Sequence, residues 1–251
     1  MLQISGLRKA YGGQEVVRGV DLQLPQGKVI ALIGPNGAGK STVLNMIARL
    51  IPIDSGQIMF KGKEVREWPR QELARHLAIL TQHNNIQAKL TVRELISFGR
   101  FPYSQGRLTK EDEALINQAL DFMELNDYAE RFIDELSGGQ RQRALIAMVL
   151  AQDTDYILLD EPTNNLDIYH ATHLMMTVRR LCDELNKTVI MVLHELNYAS
   201  FYSDYICAFK DGALAGFGPV KEMMQADFLK EVYAVDFTIT ELKGKPLALY
   251  F

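Results

Sequence analysis

The stretch VIALIGPNGAGKSTVLNMIARL, residues 29–50, constrains the fold of this 251-residue chain more than any other. The continuous apolar run 29–33 predicts a strand that is buried on both faces, and residues 40–50 predict a helix. Between them, GPNGAGKS matches the pattern GxxxxGK[ST], in which glycines let backbone amides wrap a polyphosphate. A strand, a glycine-rich loop and a helix in this order predict an α/β nucleotide-binding fold.

The side chains of this loop suit a magnesium nucleotide. Lys40 places a positive charge at the β- and γ-phosphates, and the Ser41 hydroxyl is a ligand type that Mg²⁺ accepts. We expect every loop residue to contact the nucleotide, namely Gly34, Pro35, Asn36, Gly37, Ala38, Gly39, Lys40, Ser41 and Thr42.

A second acidic element follows in YILLDE, residues 156–161. The apolar run predicts another buried strand, and ligands of open α/β sheets lie beyond the carboxyl ends of such strands. We expect Asp160 to hold Mg²⁺ through water and Glu161 to polarise the attacking water. The alternative is that both are solvated acids at a strand end.

The stretch ELSGGQRQRA, residues 135–144, predicts a second anion site. Ser137 is a favoured helix N-cap, and Gly138 and Gly139 leave backbone amides at the positive end of the following helix. One chain therefore carries two elements that suit phosphate.

Composition narrows the class of partner. The formal net charge is −4, which does not suit a nucleic-acid backbone. The longest strongly apolar stretch, ALIAMVLA at 144–151, is far shorter than a membrane span, and the first residues lack the apolar region of a signal peptide. We expect Cys182 and Cys207 to be reduced, buried thiols.

Six motifs, read in order along the chain, carry a family resemblance. They are GPNGAGKST at 34–42, Gln82 after a strand, LSGGQ at 136–140, YILLDEP at 156–162, NNLD at 164–167 and His194 in MVLHE. Together they resemble the ATPase subunit of an ATP-binding cassette (ABC) importer, over essentially the whole chain. The resemblance implies an α/β P-loop NTPase with a RecA-like core, an antiparallel β-subdomain and an inserted helical subdomain. We expect one cassette domain, with a core over 1–87 and 154–218, a helical lobe over 88–153 and a C-terminal extension over 219–251.

The resemblance also implies roles for single residues and for a second copy of the chain. Two chains pack head to tail, and each caps the γ-phosphate in its partner's P-loop with Ser137, Gly138, Gly139 and Gln140. Tyr11 matches the aromatic that stacks on adenine, and its alternative is a tyrosine packed in a strand. Gln82 matches a glutamine that touches Mg²⁺ and water. Asp167 matches an aspartate that couples the two sites, and His194 a histidine that bonds the γ-phosphate.

Within this family, LISFGRFPYSQGRLT at 95–109 and NNLDIYHA at 164–171 resemble ATPases of iron(III)-siderophore importers, with catecholate-type cargo favoured. Vitamin B12, haem or another metal chelate stays open as cargo, as does a non-transport cassette ATPase in DNA repair or translation. The importer class implies ATP and Mg²⁺, a multi-spanning permease and, indirectly, a substrate-binding protein. It places the chain peripherally on the cytoplasmic face of the inner (plasma) membrane, with no nucleic acid as partner.

Two further expectations concern residues outside the six motifs. Pro102 disfavours helical geometry at Phe101, so a helix is predicted to end there and to leave Phe101 and Tyr103 on a partner surface, while Leu95 and Ile96 pack the lobe. His76, His83, His170 and His173 lie outside the motifs, and the last two are expected to be solvated helix residues.

Overall fold

The computed structural model describes residues 1–82 and 88–250, so His83 lies outside the described residues. The strands are β1 (Leu2–Tyr11), β2 (Gln14–Leu24), β3 (Val29–Ile33), β4 (Ser55–Phe60), β5 (Lys63–Glu64), β6 (Leu77–Leu80), β7 (Tyr156–Asp160), β8 (Thr188–Val192), β9 (Tyr205–Lys210), β10 (Ala213–Pro219), β11 (Thr238–Leu242) and β12 (Lys245–Leu249). The helices are α1 (Lys40–Ile47), α2 (Arg70–Leu73), α3 (Val92–Ser97), α4 (Phe101–Ser104), α5 (Lys110–Phe122), α6 (Gly138–Ala151), α7 (Ile168–Asp183), α8 (Leu196–Tyr202), α9 (Val220–Met223) and α10 (Ala226–Tyr233). The chain forms two compact units, one of residues 1–68 with 178–251 and one of residues 69–177.

The first unit contains an antiparallel sheet in the order β2–β1–β4–β5 and a largely parallel arrangement centred on β3. Strand β3 pairs in parallel with β8 and with β9, and β10 pairs antiparallel with β9. Every residue of β3 and β8 is buried, which explains their continuous apolar sequences. Strands β9 and β10 form the hairpin that Asp211-Gly212 predicts.

In the second unit, strands β6 and β7 pair in parallel, and the helices α3, α5 and α6 contact one another. Apolar residues from each helix fill the space between them, including Leu95, Ile96, Ile116, Leu120 and Ile146. The buried positions predicted for Leu95 and Ile96 are confirmed. The finer division into core, helical lobe and C-terminal extension stays a prediction.

One local expectation is wrong. Phe101 has helical dihedral angles (φ −53°, ψ −38°) and begins α4, which continues through Pro102 to Ser104. Pro102 lies in the first turn, where a helix has no use for its missing N–H. The preference that proline imposes on the preceding residue is outweighed here because a new helix begins at that point.

The sequence also carries expectations for the cysteines and for the length of the apolar helices. Cys182 and Cys207 are both free and buried, as predicted. Over residues 1–82 and 88–250, no helix is both long and apolar enough to cross a membrane.

Candidate active site

The glycine-rich loop leaves the carboxyl end of β3 and enters α1 at Lys40. Gly34, Gly37 and Gly39 have φ of 139°, 77° and 93°, a backbone shape that L side chains rarely adopt. Lys40 is only 5% exposed, and its Nζ donates to the carbonyl oxygens of Gly34 and Pro35, both at 2.8 Å. The loop therefore curls around a buried ammonium group, as a polyphosphate site requires.

Close backbone approach fixes glycine at two loop positions. A Cβ at Gly34 would lie 2.1 Å from the carbonyl oxygen of Phe209, and one at Gly39 would lie 2.8 Å from that of Val16. Both neighbouring atoms belong to the main chain, so a side chain at either position would require the backbone to move. The loop is thereby held between the β9–β10 hairpin and β2.

Two other predicted site residues lie in the same unit as the loop. His194 is exposed and follows β8 by two residues, beside the loop, because Leu32 of β3 pairs with Val192 of β8. Tyr11 ends β1 and is 50% exposed, so it is not a packed strand tyrosine. Its ring lies 5.3 Å from Nζ of Lys9. An exposed ring at this hairpin suits stacking on a base.

The second unit brings Gln82 and Glu161 together at the ends of the parallel pair β6 and β7. Gln82 Nε2 donates to Glu161 Oε2 at 2.5 Å, and Asn164 Nδ2 donates to the same oxygen at 3.3 Å. Glu161 has φ of 50°, a strained conformation for a non-glycine residue that clusters at functional sites. Asp160, one residue earlier, is 5% exposed. Two amide donors thus orient the carboxylate that the sequence assigns to the water.

The second predicted anion element is a helix N-terminus with a complete capping box. Ser137 Oγ accepts from the Gln140 amide at 3.3 Å, and Gln140 Oε1 accepts from the Ser137 amide at 3.0 Å. A Cβ at Gly138 would meet nothing within 4 Å, whereas one at Gly139 would lie 2.2 Å from Cδ2 of His170. Packing within the chain therefore explains the second glycine, whereas no contact within 4 Å requires the first.

These elements line one open cleft of about 320 Å³ in the second unit. Its walls come from the ends of β6 and β7, the first turns of α6 and the loop after β7, with lining residues that include Gln82, Gly138, Arg141, Asp160, Glu161 and Asn164. The family resemblance implies that Glu161 acts on the nucleotide of its own chain and that Gly138 caps the nucleotide of the partner copy. Within one chain, both residues border the same cleft.

Asp167 precedes α7 and is tied to His170. Its Oδ1 accepts from the His170 amide and lies 2.8 Å from Nδ1 of the same residue. The backbone bond from His170, followed by the side-chain bond, lowers the pKa of Asp167. His170 and His173 both lie in α7, as expected, with side chains 34% and 35% exposed, and His173 Nε2 also lies 3.7 Å from Glu124 Oε2. The sequence carries a signal for this contact, because an aspartate just before a helix commonly accepts from the backbone amide three residues later, here that of His170.

The residues present fit a magnesium nucleotide. The loop offers glycine amides, a buried lysine and the Ser41 hydroxyl at the first turn of α1. Among the described residues, no cluster of three or more histidine, cysteine or acidic side chains is arranged as a metal site. A hydroxyl beside a phosphate-binding loop suits Mg²⁺, which keeps waters and is bound largely through substrate phosphates.

The first unit thus holds Tyr11, the loop and His194, and the second holds Gln82, the capped helix, Asp160, Glu161 and Asp167. A P-loop, an acidic strand end with an oriented glutamate and a glycine-capped helix define a nucleotide-hydrolysing cassette. The sequence profile of the ABC transporter family matches residues 17–164, more than half of the chain. The chain belongs to the ABC transporter family, and it is an ATP-hydrolysing subunit of that class.

Individual relatives match over the full length. The petrobactin import ATP-binding protein YclP of Bacillus subtilis (strain 168) is 48% identical over 251 residues, which cover 100% of both chains. FatE of Bacillus anthracis, also a petrobactin import ATP-binding protein, is 46% identical over 250 residues and 100% of both chains. The iron(3+)-hydroxamate import ATP-binding protein FhuC of B. subtilis (strain 168) is 41% identical, over 96% of this chain and 91% of its own.

Solved structures share the fold. A metal-chelate-type ABC transporter in an inward-facing conformation superposes with a TM-score of 0.86 at 23% identity, over 100% of this chain and 96% of that one. A dimeric ATP-binding cassette in a post-hydrolysis state, bound to ADP and phosphate, superposes with a TM-score of 0.77 at 28% identity, over 88% and 99% of the two chains. The predicted α/β P-loop cassette architecture is confirmed.

Proposed function

We propose that this chain is the ATPase subunit that powers import of an iron(III)-siderophore through a membrane permease. The observation that carries the hydrolytic part is the contact of Gln82 and Asn164 with the Glu161 carboxylate at the end of β7. The full-length relatives named for petrobactin and hydroxamate import support the cargo class.

The proposed chemistry assigns each side chain one task. The magnesium nucleotide supplies the γ-phosphate and its leaving group. Lys40 and the loop amides bind the phosphates, while Ser41, Asp160 and Gln82 would hold Mg²⁺ directly or through water. Glu161 accepts a hydrogen bond from the attacking water and orients it toward the γ-phosphate. The carboxylate can do this because Gln82 and Asn164 hold it in place. His194 bonds the γ-phosphate, and Tyr11 stacks on the base.

A second copy of the chain completes the proposed site. The exposed amides at Gly138 lie at the positive end of the fourteen-residue helix α6, and no neighbour in the chain requires glycine there. We infer that Ser137, Gly138, Gly139 and Gln140 cap the nucleotide of the partner copy. Asp167, bonded to His170, then borders the two-fold interface.

The permease is proposed to contact an exposed aromatic surface on the second unit, formed by Phe98 and Phe101. Their side chains are 53% and 58% exposed, and large exposed apolar groups mark partner surfaces. Tyr103 is only partly exposed and packs beside this surface. Arg100 lies 4.1 Å from its ring, and its hydroxyl donates to the Arg75 carbonyl at 3.2 Å. Docking there would place the chain peripherally on the cytoplasmic face of the inner membrane, where a substrate-binding protein reaches it only indirectly.

Uptake measurements test this function. A strain lacking the chain and supplied with a plasmid copy should accumulate radiolabelled iron–petrobactin, and the Lys40→Ala variant should not. Iron–hydroxamate, iron–catecholate, haem and vitamin B12 are measured in parallel. Restored uptake of haem or vitamin B12 alone would refute the siderophore assignment, and nucleic-acid-stimulated hydrolysis with no transport defect would refute the importer.

A further inference from the structure

The C-terminal segment 226–250 belongs to the first unit, which also contains the P-loop. We call this segment, which comprises α10, β11 and β12, the C-terminal latch. Asn197 of α8 donates to the Ala248 carbonyl at 3.1 Å and accepts from the Ala248 amide at 2.9 Å. Lys210 of β9 donates to the Glu231 carbonyl at 2.5 Å. Hydrogen bonds near both ends of the latch thus attach it to α8 and β9 of the same unit.

One contact joins the latch to the nucleotide loop directly. Tyr233, the last residue of α10, accepts a hydrogen bond from the Gly34 amide on its hydroxyl oxygen at 2.8 Å. Its ring lies 6.0 Å from that of Phe237, edge to face, and Phe237 lies 5.4 Å from Tyr250. The aromatic packing therefore fixes where the hydroxyl lies.

The Gly34 amide has a physical need for this acceptor. The ladder between β3 and β9 ends at the pair Ile33 and Ala208, so Gly34 is the first residue beyond it. Gly34 is buried, and a buried amide without an acceptor is costly. The Phe209 carbonyl packs closely against Gly34, since a Cβ built there would lie 2.1 Å from its oxygen, and little space is left for the peptide to turn toward another acceptor.

Gly34 also contacts the phosphate-binding lysine, Lys40. While its amide donates to Tyr233, its carbonyl oxygen accepts from Lys40 Nζ at 2.8 Å. Gly34 therefore joins two peptide units: Tyr233 accepts from the unit before its Cα, and Lys40 donates to the unit after it. Burial raises the pKa of Tyr233 well above its usual range, so the hydroxyl stays neutral as an acceptor.

We propose that Tyr233 is a positioning residue for nucleotide binding, through which the C-terminal latch sets the shape of the P-loop. Because the latch and a bound nucleotide would both hold the P-loop in one conformation, each should stabilise the other. The proposal rests on ATP binding by the loop and is independent of the cargo, so its test uses nucleotide alone and its failure is separate from failure of the transport assignment.

The Tyr233→Phe variant tests the hydroxyl, since it keeps the ring and removes only the acceptor. We expect the dissociation constant for a fluorescent ATP analogue to rise about tenfold, the change for one lost hydrogen bond to a buried amide. KM for ATP should rise in proportion, with kcat close to that of the unmodified chain. Tyr250→Phe, in the same aromatic cluster, is the matched control and should leave both constants unchanged.

Hydrogen exchange on the unmodified full chain provides a second measurement that does not depend on a variant folding. Amides of residues 226–250 should exchange more slowly when the nucleotide analogue is bound, and Tyr233→Phe should abolish this slowing. The proposal is overturned if the variant binds nucleotide with unmodified affinity, including the case in which only its melting temperature falls. Latch exchange that is identical with and without nucleotide also overturns it.

Discussion

At the scale of single residues, the site depends on an acid held in an unfavourable backbone conformation. Glu161 has φ of 50°, and two amide donors, from Gln82 and Asn164, converge on one of its oxygens. Such strain persists only where the surroundings over-determine the conformation. The chain therefore orients the carboxylate before any water is in place.

The Glu161→Gln variant should separate binding from hydrolysis. The amide oxygen can still accept from Gln82, so the loop keeps its shape, but the charge that activates water is gone. Hydrolysis should fall by at least about 100-fold while MgATP binding persists, the range for loss of a general base. Phosphate release and nucleotide binding measure the two effects, and the variant should accumulate as an ATP-bound dimer. Glu195→Gln, at an exposed acid of the first unit, is the control, and hydrolysis near the unmodified rate in Glu161→Gln would reject the assignment.

A buried ion pair in the second unit predicts an acid-sensitive fold. Arg100 Nε lies 2.8 Å from Asp112 Oδ1, and both residues are under 5% exposed. Although burial acts to raise it, the Thr109 amide and Arg100 hold the pKa of Asp112 below its usual range. A depressed carboxylate pKa contributes stability above the unfolded-state pKa, and that contribution is lost as pH falls through the folded-state value.

Asp112→Asn should therefore lower the free energy of unfolding at neutral pH by about 3 kcal/mol, because it leaves the Arg100 charge buried without its partner. Denaturant unfolding at several pH values between neutrality and acid measures this. The difference between variant and unmodified chain should shrink as pH falls below the usual range of a carboxyl group. Asp227→Asn, at an acid in the first turn of α10, is the control. A difference that stays constant or grows in acid would contradict the role of the pair.

At the scale of secondary-structure elements, the sequence predicts most of what surrounds the site. Continuous apolar runs mark β3, β7 and β8, and the capping pattern marks the start of α6, because these signals are local. The bond between Gly34 and Tyr233 joins residues 199 positions apart, and no local pattern encodes it. The start of α4 at Phe101 is not predicted either. The conformational preference of a residue before proline is a general tendency, and here a new helix that begins at Phe101 outweighs it.

The N-terminus of α6 carries the prediction at this scale. Ser137→Arg places a bulky cation at the positive end of the helix and removes the hydroxyl of the capping box. The variant should still bind ATP through the loop at 34–42 but fail to dimerise on it. Gel filtration with a non-hydrolysable nucleotide decides between the two outcomes. Ser5→Arg, at an exposed serine of β1, controls for the added charge, and normal dimerisation of Ser137→Arg would refute capping by a partner copy.

At the scale of the whole molecule, a single chain carries two elements that suit phosphate, one in each of two units. The P-loop belongs to the unit of residues 1–68 and 178–251, and the capped helix α6 belongs to residues 69–177. A two-fold dimer would supply each nucleotide with one element from each copy. Hydrolysis would then loosen the dimer, because the γ-phosphate is the group that both copies bind. That change becomes useful work only if the permease is attached to one of the units.

The exposed aromatic surface of Phe98 and Phe101 supplies the proposed attachment. A buried aromatic anchor contributes about 2 kcal/mol or more to an interface, and neither ring is needed to fill the core beneath it, where Leu95 and Ile96 are buried. Phe101→Asp should therefore leave the subunit folded and able to bind ATP, because only an exposed side chain changes. It should weaken assembly with the permease and abolish siderophore uptake.

Three measurements on Phe101→Asp separate these effects, namely the melting temperature, nucleotide binding and co-purification with the permease. Leu242→Asp, at a similarly exposed apolar residue of β11, controls for the cost of a surface charge. If Phe101→Asp assembles and transports like the unmodified chain, the surface does not bind the permease. If the variant unfolds, Phe101 belongs to the packing of its unit and the docking role fails. Loss of assembly with folding and nucleotide binding intact is the outcome that supports attachment of the permease at this surface, because the exposed side chain is then needed only for the interface.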